Sequence, residues 1–218
     1  MAIQNGRRLT LKTHRMTDQV EKHILYALET ILTKTRHEKL IHAVYTILKE
    51  LATNGCKANQ KRIYFEESGL DMNDNAEYLQ GVRGYRSLFS ERMALEYGIK
   101  ARDLGLYVLI DFQFTEEGIR IEVLNNTPYS VREEEKIRDI MKRAMGYTDI
   151  AEFYMDQLVS EEAGEIEGAG LGIALIVILL RGEGIDPNLF RIMKKEQHTL
   201  ARVEIPFSES FATKRDVP

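Results

Sequence analysis

The 218-residue chain lacks long apolar runs and has only one cysteine, four prolines and no tryptophan. A lone cysteine, Cys56, excludes an internal disulfide and is typical of a reducing compartment. The longest apolar run, residues 173–180, is too short to cross a bilayer, and the first residues contain no apolar signal region. The sequence therefore predicts a cytoplasmic protein that does not associate with membranes.

An excess of charge of one sign is also absent. The chain carries 30 Lys and Arg residues against 34 Asp and Glu residues, a formal net charge of −4 at pH 7. This balance disfavours a dedicated nucleic-acid-binding protein. Apolar residues make up 44% and charged residues 29% of the chain, as in folded proteins. We expect one domain over residues 1–207, followed by a flexible tail at 208–218.

Apolar residues recur at helical spacing around residues 40–51, and a polar stripe runs along the same predicted helix. Glu50, Asn54, Lys57 and Lys61 fall on this stripe, which borders the apolar face. A carboxylate, an amide and an ammonium at the edge of a cavity suit a ligand made of a metal ion and phosphate groups. The alternative is an ordinary solvated helix face.

Alternating glycines open the most apolar stretch of the chain. Gly168, Gly170 and Gly172 directly precede the run at 173–180. Glycine lets the backbone approach a ligand closely, and the N-terminus of a following helix offers free N–H groups to an anion. The spacing matches neither a P-loop nor a Rossmann fingerprint, so those two kinds of nucleotide site are excluded.

Together and in this order, the two stretches resemble motifs of the GHKL ATPase superfamily, which includes sensor histidine kinases and anti-sigma serine kinases. The N box of that superfamily is similar to the segment Glu50-Leu51-x-x-Asn54-x-x-Lys57. Its second glycine box is similar to the segment Gly168-x-Gly170-Leu171-Gly172. The opening order of strand, helix and N-box helix is similar to that of the anti-sigma serine kinases.

The resemblance implies ATP and Mg²⁺ as cofactors. It implies that Asn54 holds Mg²⁺, that Lys57 contacts phosphate, and that Glu50 is the catalytic residue that orients or activates the attacking group. It also implies that the phosphates are contacted by the glycine-box residues Gly168, Gly170, Leu171 and Gly172.

The adenine end of the site departs from the family pattern. GHKL proteins usually carry Asp-x-Gly-x-Gly after the corresponding strand, and the Asp binds the adenine amino group. Here Asn125 takes the Asp position, while Thr127 and Tyr129 replace the two glycines. Asn125 keeps an acceptor oxygen but loses the charge-assisted hydrogen bond, and the larger side chains stiffen the pocket wall. We expect Asn125 to face adenine in a weakened pocket.

The predicted fold is an α/β (α+β) two-layer sandwich, with helices on one face of a mixed, mostly antiparallel sheet. The predicted elements are a strand at 8–12, a helix from 17 or 18 to 34, a long helix through Glu50 ending near Lys61, an insertion at 66–103 with a helix at 77–97, a hairpin at 106–123, a lid at 130–167 with helices at 132–145 and 149–159, a helix at 171–181, and strands at 190–194 and 199–207.

The insertion is the segment that least resembles the family. It mixes tyrosines and arginines, which are enriched at protein interfaces. They are Tyr78, Tyr85, Tyr97, Arg83, Arg86 and Arg92. One interpretation is a surface that binds a partner, and the other is a solvated helix packed by its aromatic residues.

The sequence thus favours an ATP–Mg²⁺-binding regulatory domain of the histidine-kinase or anti-sigma serine-kinase type, acting on a protein partner in signal transduction. Whether it is an enzyme stays open; an ATP-dependent protein kinase of Ser/Thr or His type would fit, and a homodimer is possible. The alternative is a non-catalytic interaction module with a degenerate adenine site. A topoisomerase- or repair-type ATPase is disfavoured because appended domains and a basic surface are missing.

Overall fold

The computed structural model describes residues 8–159 and 170–214. In chain order the helices and strands are β1 (Leu9–Thr13), α1 (Asp18–Lys34), α2 (Ile41–Ser68), α3 (Asn75–Leu88), α4 (Glu91–Asp103), β2 (Val108–Phe114), β3 (Gly118–Asn125), α5 (Val131–Ala144), α6 (Ile150–Val159), α7 (Leu171–Gly182), β4 (Phe190–Lys195) and β5 (His198–Pro206). Short 3-10 helices precede α2 at Glu38–Leu40 and β4 at Pro187–Leu189.

The strands in the described residues form one sheet in the order β1-β2-β3-β5-β4, in which every neighbouring pair is antiparallel. Side chains alternate between its two faces, as a two-residue period requires. Ile110, Phe112, Ile121 and Val203 point towards the helices and join the core. The predicted sandwich of helices against a sheet is therefore confirmed, but the described strands are all antiparallel where a mixed, mostly antiparallel sheet was predicted.

The opposite face of the sheet carries cross-strand ion pairs. Arg202 pairs with Glu122 at 2.8 Å, and Arg120 pairs with Glu204 at 2.7 Å. Lys214 also reaches Glu122, at 2.9 Å, so residues 208–214 of the predicted flexible tail lie against this face. Residues 215–218 lie outside the described residues.

Helices α1 and α2 pack on the sheet and supply much of the core. Of the two predicted starts of α1, Thr17 is the cap, with its side chain accepting a hydrogen bond from Val20 N–H. Helix α2 continues past its predicted end near Lys61, because Ile63 and Phe65 extend the buried face. It ends at Gly69, whose φ of 65° is readily adopted by glycine.

The insertion forms two helices, where the sequence predicted one between residues 77 and 97. Ser90 begins the second, because its side chain caps α4 by accepting a hydrogen bond from Met93 N–H. Tyr78, Tyr85 and Tyr97 are buried in packing between these helices and the C-terminal part of α2. The three tyrosines therefore hold the insertion in place and do not form an exposed surface.

Across the described residues, each helix is either too short or too polar to pass through a membrane.

Replacing Gly81 with Ala should lower the free energy of unfolding by about 1–3 kcal/mol, because a Cβ there would overlap the buried ring of Phe65. Gly182→Ala is the matched control, since a Cβ at Gly182 meets nothing within 4 Å. The control should be neutral or stabilising by up to about 1 kcal/mol. Urea unfolding measures both, and equal stability of the two variants would contradict the packing of α3 against α2.

Candidate functional site

A pocket of about 470 Å³ opens between helix α2, the sheet, and the lid and glycine-box segments. Its lining includes six of the eight residues predicted for the site, namely Glu50, Asn54, Lys57, Asn125, Gly170 and Gly172. Leu171 does not line the pocket, because its side chain packs against the core at the start of α7. Gly168 and the acidic end of the predicted lid lie outside the described residues.

The polar stripe of α2 forms one wall of this pocket. Asn54 Nδ2 donates a hydrogen bond to Glu50 Oε1 at 3.0 Å, one helical turn away. Lys57 is exposed, and its ammonium lies 5.4 Å from the centre of the Phe89 ring. The stripe is therefore a pocket wall, as the sequence predicted, and differs from an ordinary solvated helix face.

The N-terminal turn of α7 lies directly against Glu50. A Cβ on Gly172 would overlap the Glu50 carboxylate, so only glycine fits there with Glu50 in this position. Gly170 precedes α7 with a φ of 63°, and a Cβ on it would lie 2.5 Å from Ile140 Cδ1. The two motifs, far apart in the sequence, thus meet at one contact.

Among the described residues, no side chain caps the N-terminus of α7. Gly170 is its N-cap residue and makes no side-chain hydrogen bond there. The first N–H groups of a helix have no intrahelical partner, and the helix dipole places partial positive charge at that end. Because Gly170 and Gly172 line the pocket, this end of α7 suits an anionic group of a ligand.

Asn125 ends strand β3 on the face towards the helices. It pairs in register with Val108 on β2 and with Thr199 on β5. The residue is 5% exposed, and its side-chain Oδ1 is buried without a hydrogen-bond donor in the described part of the chain. An unpaired buried polar group costs roughly 1–3 kcal/mol, so a ligand N–H would be favourable here.

Thr127 and Tyr129 form the adjoining wall. Thr127 is buried, and its hydroxyl donates to Asn59 Oδ1 at 3.0 Å. Thr199 Oγ1 donates to the Thr127 carbonyl at 2.8 Å, which fixes the loop to β5. Tyr129 also lines the pocket. These side chains narrow the pocket, yet the remaining volume is in the usual range for small-molecule sites.

The described part of the predicted lid is docked on the pocket. Helix α5 begins with a capping box between Ser130 and Glu133. Glu133 forms an ion pair with Lys61 of α2, and the two side chains are only 14% and 6% exposed. Burial alone would raise the pKa of Glu133, but the Lys61 ammonium opposes it and the net pKa is lowered. This ion pair ties the lid to α2.

The insertion also contacts the lid. Arg132 Nη1 of α5 donates to Asn75 Oδ1 at 3.0 Å, and the guanidinium lies 4.9 Å from the centre of the Tyr78 ring. Helix α3 therefore lies beside both the pocket and its lid.

Cationic side chains outnumber carboxylates in the described lining of the pocket. The five cationic residues are Lys57, Lys61, Arg62, Arg86 and Lys136, and the two carboxylates are Glu50 and Glu133. The chain as a whole has a net charge of −4, so positive charge is concentrated at this site. A concave surface of this kind favours an anionic ligand.

Several lining residues were missed by sequence reasoning. The insertion contributes Tyr85, Arg86 and Phe89 to the pocket, although the sequence predicted either a partner surface or a solvated helix packed by its aromatic residues. No local signal could have located them, because their position depends on how α3 folds back on α2. Lys61 had a signal, since it falls on the α2 stripe, but its ion pair with Glu133 depends on the lid.

Among the described residues there is no group of three His, Cys, Asp or Glu side chains that could hold a metal ion by themselves. Mg²⁺ does not require such a group, because it usually takes one or two protein oxygens together with water and phosphate oxygens. The Asn54 and Glu50 side chains are the oxygen donors on the α2 wall that fit this requirement.

Neither a family model nor a solved structure matches the chain. A Treponema pallidum (strain Nichols) protein described as uncharacterized is 28% identical over 205 residues, covering 94% of this chain and 39% of that protein. The chain therefore spans well under half the length of this relative. The similarity assigns no activity, so a functional argument has to come from the pocket.

Replacing Glu133 with Gln should lower the free energy of unfolding at neutral pH by about 2 kcal/mol, because Lys61 loses its carboxylate while Ser130 keeps an acceptor. The pKa of Glu133 is lower in the folded protein than in the unfolded chain. Its stabilisation is therefore present above the ordinary carboxyl pKa and is lost as the pH falls through the lowered value.

Urea unfolding of the wild type and Glu133→Gln from roughly pH 3 to pH 8 should show their difference shrinking in acid. Glu135→Gln is the matched control, because Glu135 is an exposed carboxylate on the same helix. It should change stability little at any pH. A difference that stays constant with pH would contradict the ion pair as the source of the effect.

Proposed function

We propose that the pocket binds ATP with Mg²⁺ and that the protein is a regulatory domain of the histidine-kinase or anti-sigma serine-kinase type. The observation that supports this most strongly is the contact between Gly172 and Glu50. It joins the N-box-like and glycine-box-like segments at one pocket, as a shared nucleotide site requires. A cytoplasmic location and a protein partner are parts of the same proposal.

At the phosphate end, the residues present fit a magnesium–triphosphate group. Asn54 would supply an oxygen to Mg²⁺, and Lys57 would pair with a phosphate oxygen. The uncapped N-terminus of α7 at Gly170 and Gly172 would give N–H groups to the phosphates. When bound, Mg²⁺ would neutralise charge on the phosphates.

At the base end, Asn125 would accept a hydrogen bond from the adenine amino group. Asn125 lines a pocket of suitable size, and its buried Oδ1 lacks a donor among the described residues. The uncharged amide makes this bond weaker than one to a carboxylate, so moderate affinity is expected.

Glu50 is the candidate for the catalytic group. Its carboxylate is oriented by the hydrogen bond from Asn54, at the junction of the α2 and α7 walls. In that position it could accept a proton from an attacking hydroxyl or orient an attacking imidazole of a partner protein. If transfer occurs, Ser is favoured over His as acceptor, because the order of elements at the start of the chain resembles the anti-sigma serine kinases.

A second candidate is a protein-interaction module that does not turn over ATP. The replacement of the usual Asp by Asn125 and of two glycines by Thr127 and Tyr129 favours this interpretation. So do exposed apolar side chains on the insertion, among them Leu88 and Leu95, which are 56% and 45% exposed. The two candidates differ in whether nucleotide binds.

Isothermal titration with a non-hydrolysable ATP analogue, with and without Mg²⁺, tests the proposal. The wild type should bind in a magnesium-dependent manner, and Asn54→Ala should lose at least about tenfold in affinity through its missing metal ligand. Glu66→Ala is the control, since Glu66 is exposed on the same helix outside the pocket. Absence of binding by the wild type at millimolar analogue would favour the interaction module.

Gly172→Ala should also weaken binding of the analogue by at least about tenfold, because the added methyl group displaces the Glu50 carboxylate from its position at the junction of the α2 and α7 walls. Gly182→Ala, on the same helix but with free space around its Cβ position, should bind as the wild type does. Thermal unfolding of both variants separates loss of binding from loss of fold. Unchanged affinity in Gly172→Ala would remove this contact from the site.

A further inference from the structure

The side-chain amide of Asn125 is buried yet has no hydrogen-bond partner in the described part of the chain. Its Oδ1 is unpaired, and no hydrogen bond engages its Nδ2. The residue is 5% exposed and lines the pocket. Neither end of the amide is therefore committed to another group in the described part of the chain.

No hydrogen bond in the described part of the chain fixes the Asn125 amide in one orientation. Val108, opposite it on β2, is apolar. Thr199, opposite it on β5, commits its hydroxyl hydrogen to the Thr127 carbonyl. The nearby Thr127 hydroxyl donates to Asn59. A half-turn of the amide exchanges its oxygen and nitrogen with almost no change in shape. The terminal torsion χ2 of Asn has a broad, roughly two-fold distribution, so both orientations are accessible to the side chain itself.

The two classes of purine exchange hydrogen-bond donor and acceptor positions, as the amide does when it makes a half-turn. A 6-aminopurine carries a donor at position 6 and an acceptor at N1, whereas a 6-oxopurine carries an acceptor at position 6 and a donor at N1. An amide can complement the first edge with its oxygen opposite the amino group, and the second edge after a half-turn. A carboxylate can only accept, so it would place lone pairs against the 6-oxo group.

We propose that Asn125 gives the pocket a relaxed purine specificity, so that it binds both 6-amino- and 6-oxopurine nucleoside triphosphates. This inference rests on the proposed function, because it concerns the base end of the same nucleotide site. The ligand class is therefore purine nucleoside triphosphates, with Asn125 as the specificity-determining residue.

The test is titration of the wild-type protein, in Mg²⁺, with non-hydrolysable analogues of ATP and of GTP. The two dissociation constants should agree within about tenfold. Asn125→Asp should raise the ratio of the GTP to the ATP constant by at least about tenfold, through weaker GTP binding and equal or tighter ATP binding. Asn125→Leu, which has neither donor nor acceptor, should weaken both analogues.

A wild type that binds the ATP analogue but rejects the GTP analogue by more than about a hundredfold would overturn this inference and leave the proposed function standing. An unchanged ratio in a folded Asn125→Asp variant would also overturn it. Failure of the wild type to bind either analogue would overturn the proposed function and the inference together. The wild-type ratio needs no variant, so the test holds even if a substitution disturbs folding.

Discussion

The close approach of α7 to α2 is the constraint on which the pocket depends. With Glu50 in its present position, a side chain at position 172 would overlap the Glu50 carboxylate, so glycine there lets the α7 backbone lie against that carboxylate. That contact brings the uncapped N-terminus of α7 beside the polar stripe of α2. A positive helix end, a carboxylate and an amide then share one wall, an arrangement suited to phosphate groups and a cation.

The lid side of the pocket is held by electrostatics as well as by apolar packing. Lys61 and Glu133 are largely removed from water, so removing either side chain would leave a buried charge behind and destabilise the fold. Ile140 and Ala144 meanwhile bury the other side of α5 in the core. The described part of the lid is therefore docked on the domain. Lys61 and Glu133, which form the docking ion pair, also line the pocket.

The Asn125 end of the pocket contains a buried polar atom without a hydrogen-bond partner in the described part of the chain. Among the described residues, Asn59 Nδ2 and Asn125 Oδ1 are the buried side-chain nitrogen and oxygen atoms that lack a hydrogen-bond partner. Unsatisfied buried groups are uncommon in folded proteins, and they concentrate where a ligand completes the hydrogen bonding. Asn125 lies at the end of a central strand and lines a cavity, so its unpaired amide is best understood as a property of the site.

Much of the fold followed from the sequence, because repeats of two and 3.6 residues are set by local backbone geometry. They located the hairpin of β2 and β3, the buried face of α1 and the stripe from Glu50 to Lys61, and the glycines marked the start of α7. Local spacing could not show that Tyr85 and Phe89 line the pocket, that Lys61 pairs with Glu133, or that Asn125 lacks a partner. Those features join residues far apart in the chain, so only the packing of α3, α5 and the sheet around α2 decided them.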